Sequence, residues 1–129
     1  MIDASIEWEA HPDDVADKFE EFLDALESRL DERVAIVAES VASMAATLAP
    51  VDTGELMDSI SATMEGVIET LVISGAVVAE AAHAPFVEFG TIHMSAQPYL
   101  APALDAHREM LVEQSEAAIA DARREVFGY

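Results

Sequence analysis

Histidines and carboxylates that could bind a metal are the first candidates for chemistry in this 129-residue sequence. His83, His93 and His107 lie in the same part of the chain as Glu88 and Glu109, and imidazole and carboxylate groups are common zinc ligands. Their spacings match no HExxH or comparable helical ligand pattern, so we interpret them as scattered residues. We expect no metal and no other cofactor.

Nucleophilic catalysis and phosphate binding also lack a sequence signal. Ser59, Ser61, Ser74 and Ser95 do not lie in a GxSxG elbow, and the five single glycines form no phosphate-binding loop. The chain contains no cysteine, which excludes a thiolate nucleophile, a cysteine-ligated metal and a disulfide scaffold. Carboxylate pairs identify nothing among 26 acidic residues. We therefore expect that the protein is not an enzyme.

The charge of the chain excludes one large class of partner. Twenty-six acidic and six basic residues give a formal net charge of −20. Phosphate backbones are bound mainly through lysine and arginine, so we expect no specific nucleic-acid binding. Molar salt shortens the Debye length to about 3 Å and would relieve the repulsion among scattered carboxylates. The composition favours a halophilic cytoplasm, with an acidic mesophilic protein as the alternative.

The sequence carries no recognisable targeting or membrane segment. The N-terminal residues have neither the basic region nor the apolar run of a signal peptide. No uninterrupted apolar stretch approaches the roughly 18 residues of a membrane span, because Ser74, Gly75 and Glu80 interrupt the nearest candidate. We expect a soluble protein that stays in the cytoplasm where it is made.

Hydrophobic periodicity predicts the elements that position these side chains. Residues 2–9 alternate as a short strand, and apolar residues then recur every three or four positions from about 12 to 49. A helix of that length would span about 57 Å, so it either kinks or reaches a neighbouring molecule. Its second half, Ala35 to Ala49, is rich in small apolar residues and is predicted to be the buried half.

Strands are predicted at about 60–75, and a C-terminal helix at about 99–126. Residues 76–84 are ambiguous between helix and extended chain. Length favours one domain covering residues 1–129. The predicted fold class is α+β, with a small antiparallel sheet packed with a long N-terminal helix and a C-terminal helix.

Three segments are more specific than the periodicity. They are APVDTGELMDSI at 49–60, HAPFVEFGT at 83–91 and AQPYLAPAL at 96–104. Together and in this order they resemble the neck and tail-completion protein family of long-tailed, siphovirus-type phages. In that family the patterns PxDTGxLxxSI, YAxxVEFGT and AQPFLxPAL recur.

The departures from these patterns are few. His83 replaces a usual tyrosine and Tyr99 a usual phenylalanine, and both changes keep a ring. Met57 and Ala101 stand where family members often carry a basic residue, which agrees with the loss of positive charge along the whole chain. The family-motif and candidate assembly residues are Pro50, Asp52, Thr53, Gly54, Leu56, Ser59, Ile60, Phe86, Glu88, Phe89, Gly90, Thr91, Gln97, Pro98, Tyr99 and Pro102.

The same residues also have a local interpretation. Thr53 and Gly54 permit a tight turn, and Leu56 and Ile60 would lie on one face of a helical turn that docks on the sheet. We interpret Glu88 as a solvated rim residue; the alternative is a charge that caps or pairs across a subunit boundary. Gln97-Pro98 predicts an extended approach to the last helix.

The resemblance implies a structural virion protein, here of a virus or provirus of a halophilic archaeon. It would form a sixfold ring at the head-proximal end of the tail and allow DNA to pass. Its partners would be other copies of itself, a head-closure or adaptor protein, and a tail tube or terminator protein. The overlong first helix supports assembly independently, with interface candidates at Phe19, Phe22, Leu23 and Leu26.

Two alternatives stay open at this point. A tail terminator is also a ring protein, one that stops growth of the tail tube, and the sequence separates it poorly from a neck protein. A cellular acidic helical adaptor, which would dimerise through the stripe from Phe19 to Leu48, belongs to a different class.

Overall fold

The computed structural model describes residues 12–67 and 72–129. In these ranges the order of elements is α1 (Pro12–Leu48), α2 (Glu55–Asp58), β1 (Ile60–Val67), β2 (Val72–Ala79), α3 (Ala84–Phe89), α4 (Leu100–Ala106) and α5 (Arg108–Phe127). The predicted α+β class, with a long N-terminal helix, an antiparallel sheet and a C-terminal helical region, is confirmed. The strand predicted at residues 2–9 lies outside the described residues.

Helix α1 is the central helix, and most of the other elements pack against it. It is continuous over 37 residues, which corresponds to about 55 Å. Asp13 and Asp14 lie in its first turn, at the positive end of the helix dipole, and it ends two residues before Pro50. The predicted burial of its second half is confirmed by the buried Val37, Val41 and Ala45 among other small residues.

Strands β1 and β2 form a two-stranded antiparallel sheet, in a register that runs from Ile60 opposite Ala79 to Val67 opposite Val72. The second strand therefore continues past the predicted end near residue 75. The ambiguous stretch at 76–84 divides between the end of β2, a turn and the first residue of α3. Both strands pack against α1.

The predicted C-terminal helix at about 99–126 is present as two helices that meet at His107. The backbone of His107 (φ −110°, ψ 6°) leaves the helical region, and its Nδ1 atom lies 2.7 Å from the carbonyl oxygen of Ala103. The His107 N–H donates to the Leu104 carbonyl at 3.0 Å, three residues earlier instead of four, so regular α-helical hydrogen bonding is interrupted at this position.

Helix α5 lies along α1 and is joined to it by charged groups. Arg33 forms an ion pair with Asp121 at 2.6 Å and donates a hydrogen bond to Gln114 at 2.9 Å. Arg29 pairs with Glu125 at 3.2 Å. Two of the six basic residues in the sequence thus connect the two longest helices. None of the described helices is both long enough and apolar enough to cross a bilayer.

Candidate assembly surface

The three sequence segments that carry the family resemblance meet in one core. Leu56 from the first, Val87 from the second and Tyr99 from the third are buried together against Val41 and Ala45 of α1. The segments are separated in the chain by the whole sheet and by a turn, so their convergence is a property of the tertiary fold. Packing in this core therefore accounts for Leu56, Val87 and Tyr99, one residue of each segment.

The first segment reverses the chain between α1 and the sheet. Gly54 adopts the left-handed conformation (φ 85°) that glycine accepts at little cost, and its carbonyl oxygen accepts the backbone N–H of Asp58 at 2.9 Å. Leu56 is buried, and the Ser59 hydroxyl donates to the Leu56 carbonyl at 2.8 Å. Ile60 begins β1, so it does not share a helical turn with Leu56 as the spacing suggested.

Glu88 joins the second segment to the third. Its carboxylate accepts three backbone N–H groups at the start of α4, from Tyr99 at 2.8 Å, Leu100 at 3.0 Å and Ala101 at 3.0 Å. These donors have no partner inside the helix, and a carboxylate placed there also interacts favourably with the helix dipole. Glu88 is therefore the cap of α4, although it belongs to the preceding helix, α3.

This geometry corrects the preferred interpretation of Glu88 as a solvated rim residue, because the side chain is buried. The alternative was right about capping, but the cap acts within one chain. Burial alone would raise the pKa of Glu88, whereas the hydrogen bonds from Leu100, Tyr99 and Ala101 lower it. Together the three bonds outweigh the burial and hold the pKa below its ordinary value.

Two further bonds lock the same junction. The buried Tyr99 hydroxyl donates to the Ala84 carbonyl at 3.1 Å, and the Gln97 N–H donates to the Val87 carbonyl at 2.8 Å. Burial, and then the charge of Glu88, raise the pKa of Tyr99 above its ordinary value, so the phenol stays neutral. We call Glu88, Tyr99 and Gln97 with their bonds the α3–α4 clamp.

Gly90 ends α3 with a backbone that requires glycine. Its φ of 78° and ψ of 175° lie in a region open essentially to glycine alone. A Cβ atom there would lie 2.7 Å from the backbone nitrogen of Ala96. The chain then makes a tight turn, in which Thr91 and Met94 exchange backbone hydrogen bonds at 2.8 and 3.3 Å.

The clamp holds apolar side chains out toward solvent. Phe86 is exposed, Phe89 is 80% exposed, and Ile92, within the 91–94 turn, is 96% exposed. Contiguous exposed apolar residues on a protein surface typically mark an interaction site. The other motif residues in this region, Thr91, Gln97 and Pro98, are also exposed.

A second apolar surface is a groove that opens between β2 and α5, with α1 as its floor. Its volume is about 1180 Å³. Leu30, Val34 and Val41 line the floor, Val77 lines one wall and Ile119 the opposite wall. Glu88 carries the one carboxylate among the described lining residues. This carboxylate accepts hydrogen bonds from the backbone at the start of α4. The sequence pattern did not reveal this groove, because its two walls come from elements that are distant in the chain.

The interface candidates predicted in α1 differ in their exposure to solvent. Leu26 is 7% exposed, and the Phe22 ring packs against Phe127 of the same chain at a centroid distance of 5.9 Å. Leu23 is half-buried. Phe19 is 56% exposed, and it lies in a part of α1 where every residue from Asp13 to Glu21 is exposed. We call Asp13–Glu21 the overhang.

No group of three or more histidine and acidic side chains is arranged to hold a metal ion in the parts of the chain that the structure describes. His107 bonds to Ala103, and His83 precedes α3. The Glu88 carboxylate is hydrogen-bonded to the backbone at the start of α4. The site can therefore bury apolar surface and fix the orientation of two helices.

Comparison with known proteins identifies a matching family. Residues 13–90 match the family model HK97-gp10_like, described as "Bacteriophage HK97-gp10, putative tail-component". The match covers more than half of the chain and contains the first motif segment and nearly all of the second. The comparisons with curated proteins and with solved structures find no significant match.

Proposed function

Because the chain belongs to the HK97-gp10-like family of phage tail components, we propose that it is a structural protein of the virion neck. In this proposal it forms a ring, of six copies by the sequence resemblance, at the head-proximal end of the tail. It joins the tail to the head through a head-closure or adaptor protein on one side and tail tube or terminator proteins on the other.

The overhang is the observation that carries this proposal. Helix α5 ends at Phe127, which meets Phe22, so the first turns of α1 continue beyond its partner helix. That segment presents Val15 and Phe19 to solvent, one helical turn apart. An apolar stripe with no partner among the described residues of its own chain suits a contact with another subunit.

In this proposal DNA also passes through the ring, and the net charge of −20 supports such a passage. A lumen lined with carboxylates would repel the phosphate backbone and would not retain DNA during ejection. Mobility shifts with duplex DNA should show no binding at any salt concentration that keeps the protein folded. Tight, salt-sensitive binding would contradict this part of the proposal.

Mass measurement of the purified chain in molar KCl tests the ring. We expect a closed oligomer of six copies with a central opening in negative-stain images. A discrete dimer would favour the cellular adaptor instead.

Loss of the gene separates the neck protein from the tail terminator. A neck protein is needed to join finished parts, so its loss should yield filled heads and tails of normal length that remain separate. A terminator stops growth of the tube, so its loss should yield tails of abnormal length.

A further inference from the structure

The overhang and the groove are two apolar surfaces of the same chain, and the described parts of that chain cover neither. Val15 and Phe19 are exposed on the first, and Ile119 is 48% exposed on the wall of the second. The surfaces differ in shape, since one is a convex helix face and the other a concave channel. Helices with an apolar face commonly bind in such grooves.

The overhang cannot reach the groove of its own chain. Helix α1 is continuous, and Leu30 lies at the near end of the groove floor. At the helical rise of 1.5 Å per residue, Phe19 and Leu30 are separated by about 16 Å along the axis. A contact between overhang and groove therefore requires two copies of the chain.

The groove has room for the apolar face of a helix. Two turns of α-helix, with a length of about 11 Å and a diameter of about 10 to 12 Å, occupy roughly 850 to 1,200 Å³. The groove measures about 1180 Å³, so it can take the apolar side of such a helix while the opposite side stays in solvent. The overhang supplies two and a half turns, and its apolar residues Val15 and Phe19 lie on one face.

Charge does not oppose the same pairing. The overhang carries five carboxylates and one lysine, and most surfaces of this acidic chain would repel it. The groove is an exception, because the one carboxylate among its described lining residues is bonded to three backbone N–H groups at the start of α4. The apolar face of the overhang can enter the groove while its carboxylates stay in solvent.

We propose that the overhang of one copy docks in the groove of the next copy. The proposal deepens the proposed function and rests on it, since it names the contact that would build the ring. Overhang and groove are different patches, so the contact is heterologous, and repetition by rotation closes a ring.

Two matched substitutions test the pairing. Phe19→Glu damages the overhang and Ile119→Glu damages the groove, and both side chains are exposed enough to leave the fold intact by circular dichroism. We expect each variant to be monomeric in molar KCl. Ile36→Glu places the same charge on a residue that is 46% exposed and lies outside both surfaces and outside the three motif segments, and this control should assemble like the unmodified chain.

A mixture of the two monomeric variants gives the decisive result. The Phe19→Glu copy keeps an intact groove and the Ile119→Glu copy keeps an intact overhang, so one contact can form but the ring cannot close. We expect a 1:1 heterodimer. A mixture that stays monomeric, or an Ile36→Glu control that also falls apart, would overturn the docking proposal.

Cross-linking separates failure of the docking from failure of the ring. The chain has no cysteine, so a Phe19→Cys/Ile119→Cys protein can form disulfides only at the introduced positions. A disulfide needs Cα atoms within about 7 Å, so a bond between the two positions requires the overhang of one copy to lie in the groove of another. Oxidation should give a ladder of covalent oligomers that ends at the ring, and Phe19→Cys/Ile36→Cys should give none.

Two other outcomes of the cross-linking experiment would each contradict one part of the proposal. Rings without cross-links would overturn the docking and leave the neck ring standing. A ladder that stops at dimers would show reciprocal docking of two copies and overturn the ring.

Discussion

The carboxylate of Glu88 lies 2.8 Å from the backbone nitrogen of Tyr99, so the last turn of α3 caps the first turn of α4. The capping side chain comes from the VEFG segment and the capped backbone from the QPYL segment. Two of the three motif segments thus form one capping interaction. This interaction fixes the end of α3, the helix that carries the exposed Phe86 and Phe89.

Substitution of Glu88 by glutamine should destabilise the fold. The amide retains one acceptor oxygen and turns an NH₂ group toward the remaining N–H donors, so at least one buried hydrogen bond is lost. A bond to a charged group contributes about 1.5 to 3 kcal/mol, and we expect a loss of that size in urea unfolding. Glu116→Gln, at an exposed position in the middle of α5, is the control and should change stability by less than about 0.5 kcal/mol. Equal stability of the two variants would contradict the capping role.

The contribution of Glu88 should depend on pH with a defined sign. Its pKa in the folded state lies below the ordinary value of 4.5, so the folded state binds fewer protons than the unfolded state. The stabilisation is therefore present above the unfolded pKa and is lost as pH falls through the folded pKa. The difference in unfolding free energy between the unmodified chain and Glu88→Gln should be constant from about pH 6 to 8 and shrink below about pH 4.5. A difference that persists unchanged at lower pH would show that the carboxylate charge is not involved.

Replacement of Gly90 by alanine should be among the most damaging single changes outside the core. The backbone conformation is unfavourable for an L-residue, and the new Cβ would meet the Ala96 nitrogen at 2.7 Å. We expect a loss of about 2 to 4 kcal/mol. Gly128→Ala is a control for positive φ alone, because Gly128 lies in the left-handed helical region (φ 81°, ψ 6°) with nothing within 4 Å of a new Cβ. Its cost should stay at about 1 kcal/mol, the cost of that region for an L-residue, and similar losses for both variants would contradict the stricter requirement for glycine at position 90.

The fold should depend strongly on salt. With a net charge of −20, lowering KCl from molar to tens of millimolar lengthens the Debye length from about 3 Å to about 20 Å. Carboxylates across the domain would then repel one another. A repulsion of a few kcal/mol corresponds to a fall in melting temperature of about 10 °C, measurable by far-UV circular dichroism. An unchanged melting temperature would remove the hypothesis of halophilic adaptation.

Periodicity was sufficient to predict α1, because its apolar stripe continues along the whole helix and packs against several elements. It was insufficient for the C-terminal helices, since the break at His107 falls on a residue that is neither a proline nor a glycine and so leaves no sequence signal. The role of Glu88 was also beyond sequence reasoning. Among 26 acidic residues nothing local distinguishes the one whose partners are the backbone of a later helix.

Helix α1 is continuous from Pro12 to Leu48. A change in its length therefore alters both the distance from the overhang to the groove floor and the direction in which the apolar stripe of the overhang points. Each inserted residue would move the overhang away from the groove floor by about 1.5 Å and rotate its apolar stripe by about 100°. An insertion of about seven residues would change the phase by only about 20° and the distance by about 10 Å. Viable length variants of this helix should therefore differ in steps of about seven residues, so that subunit spacing changes while the stripe keeps its direction.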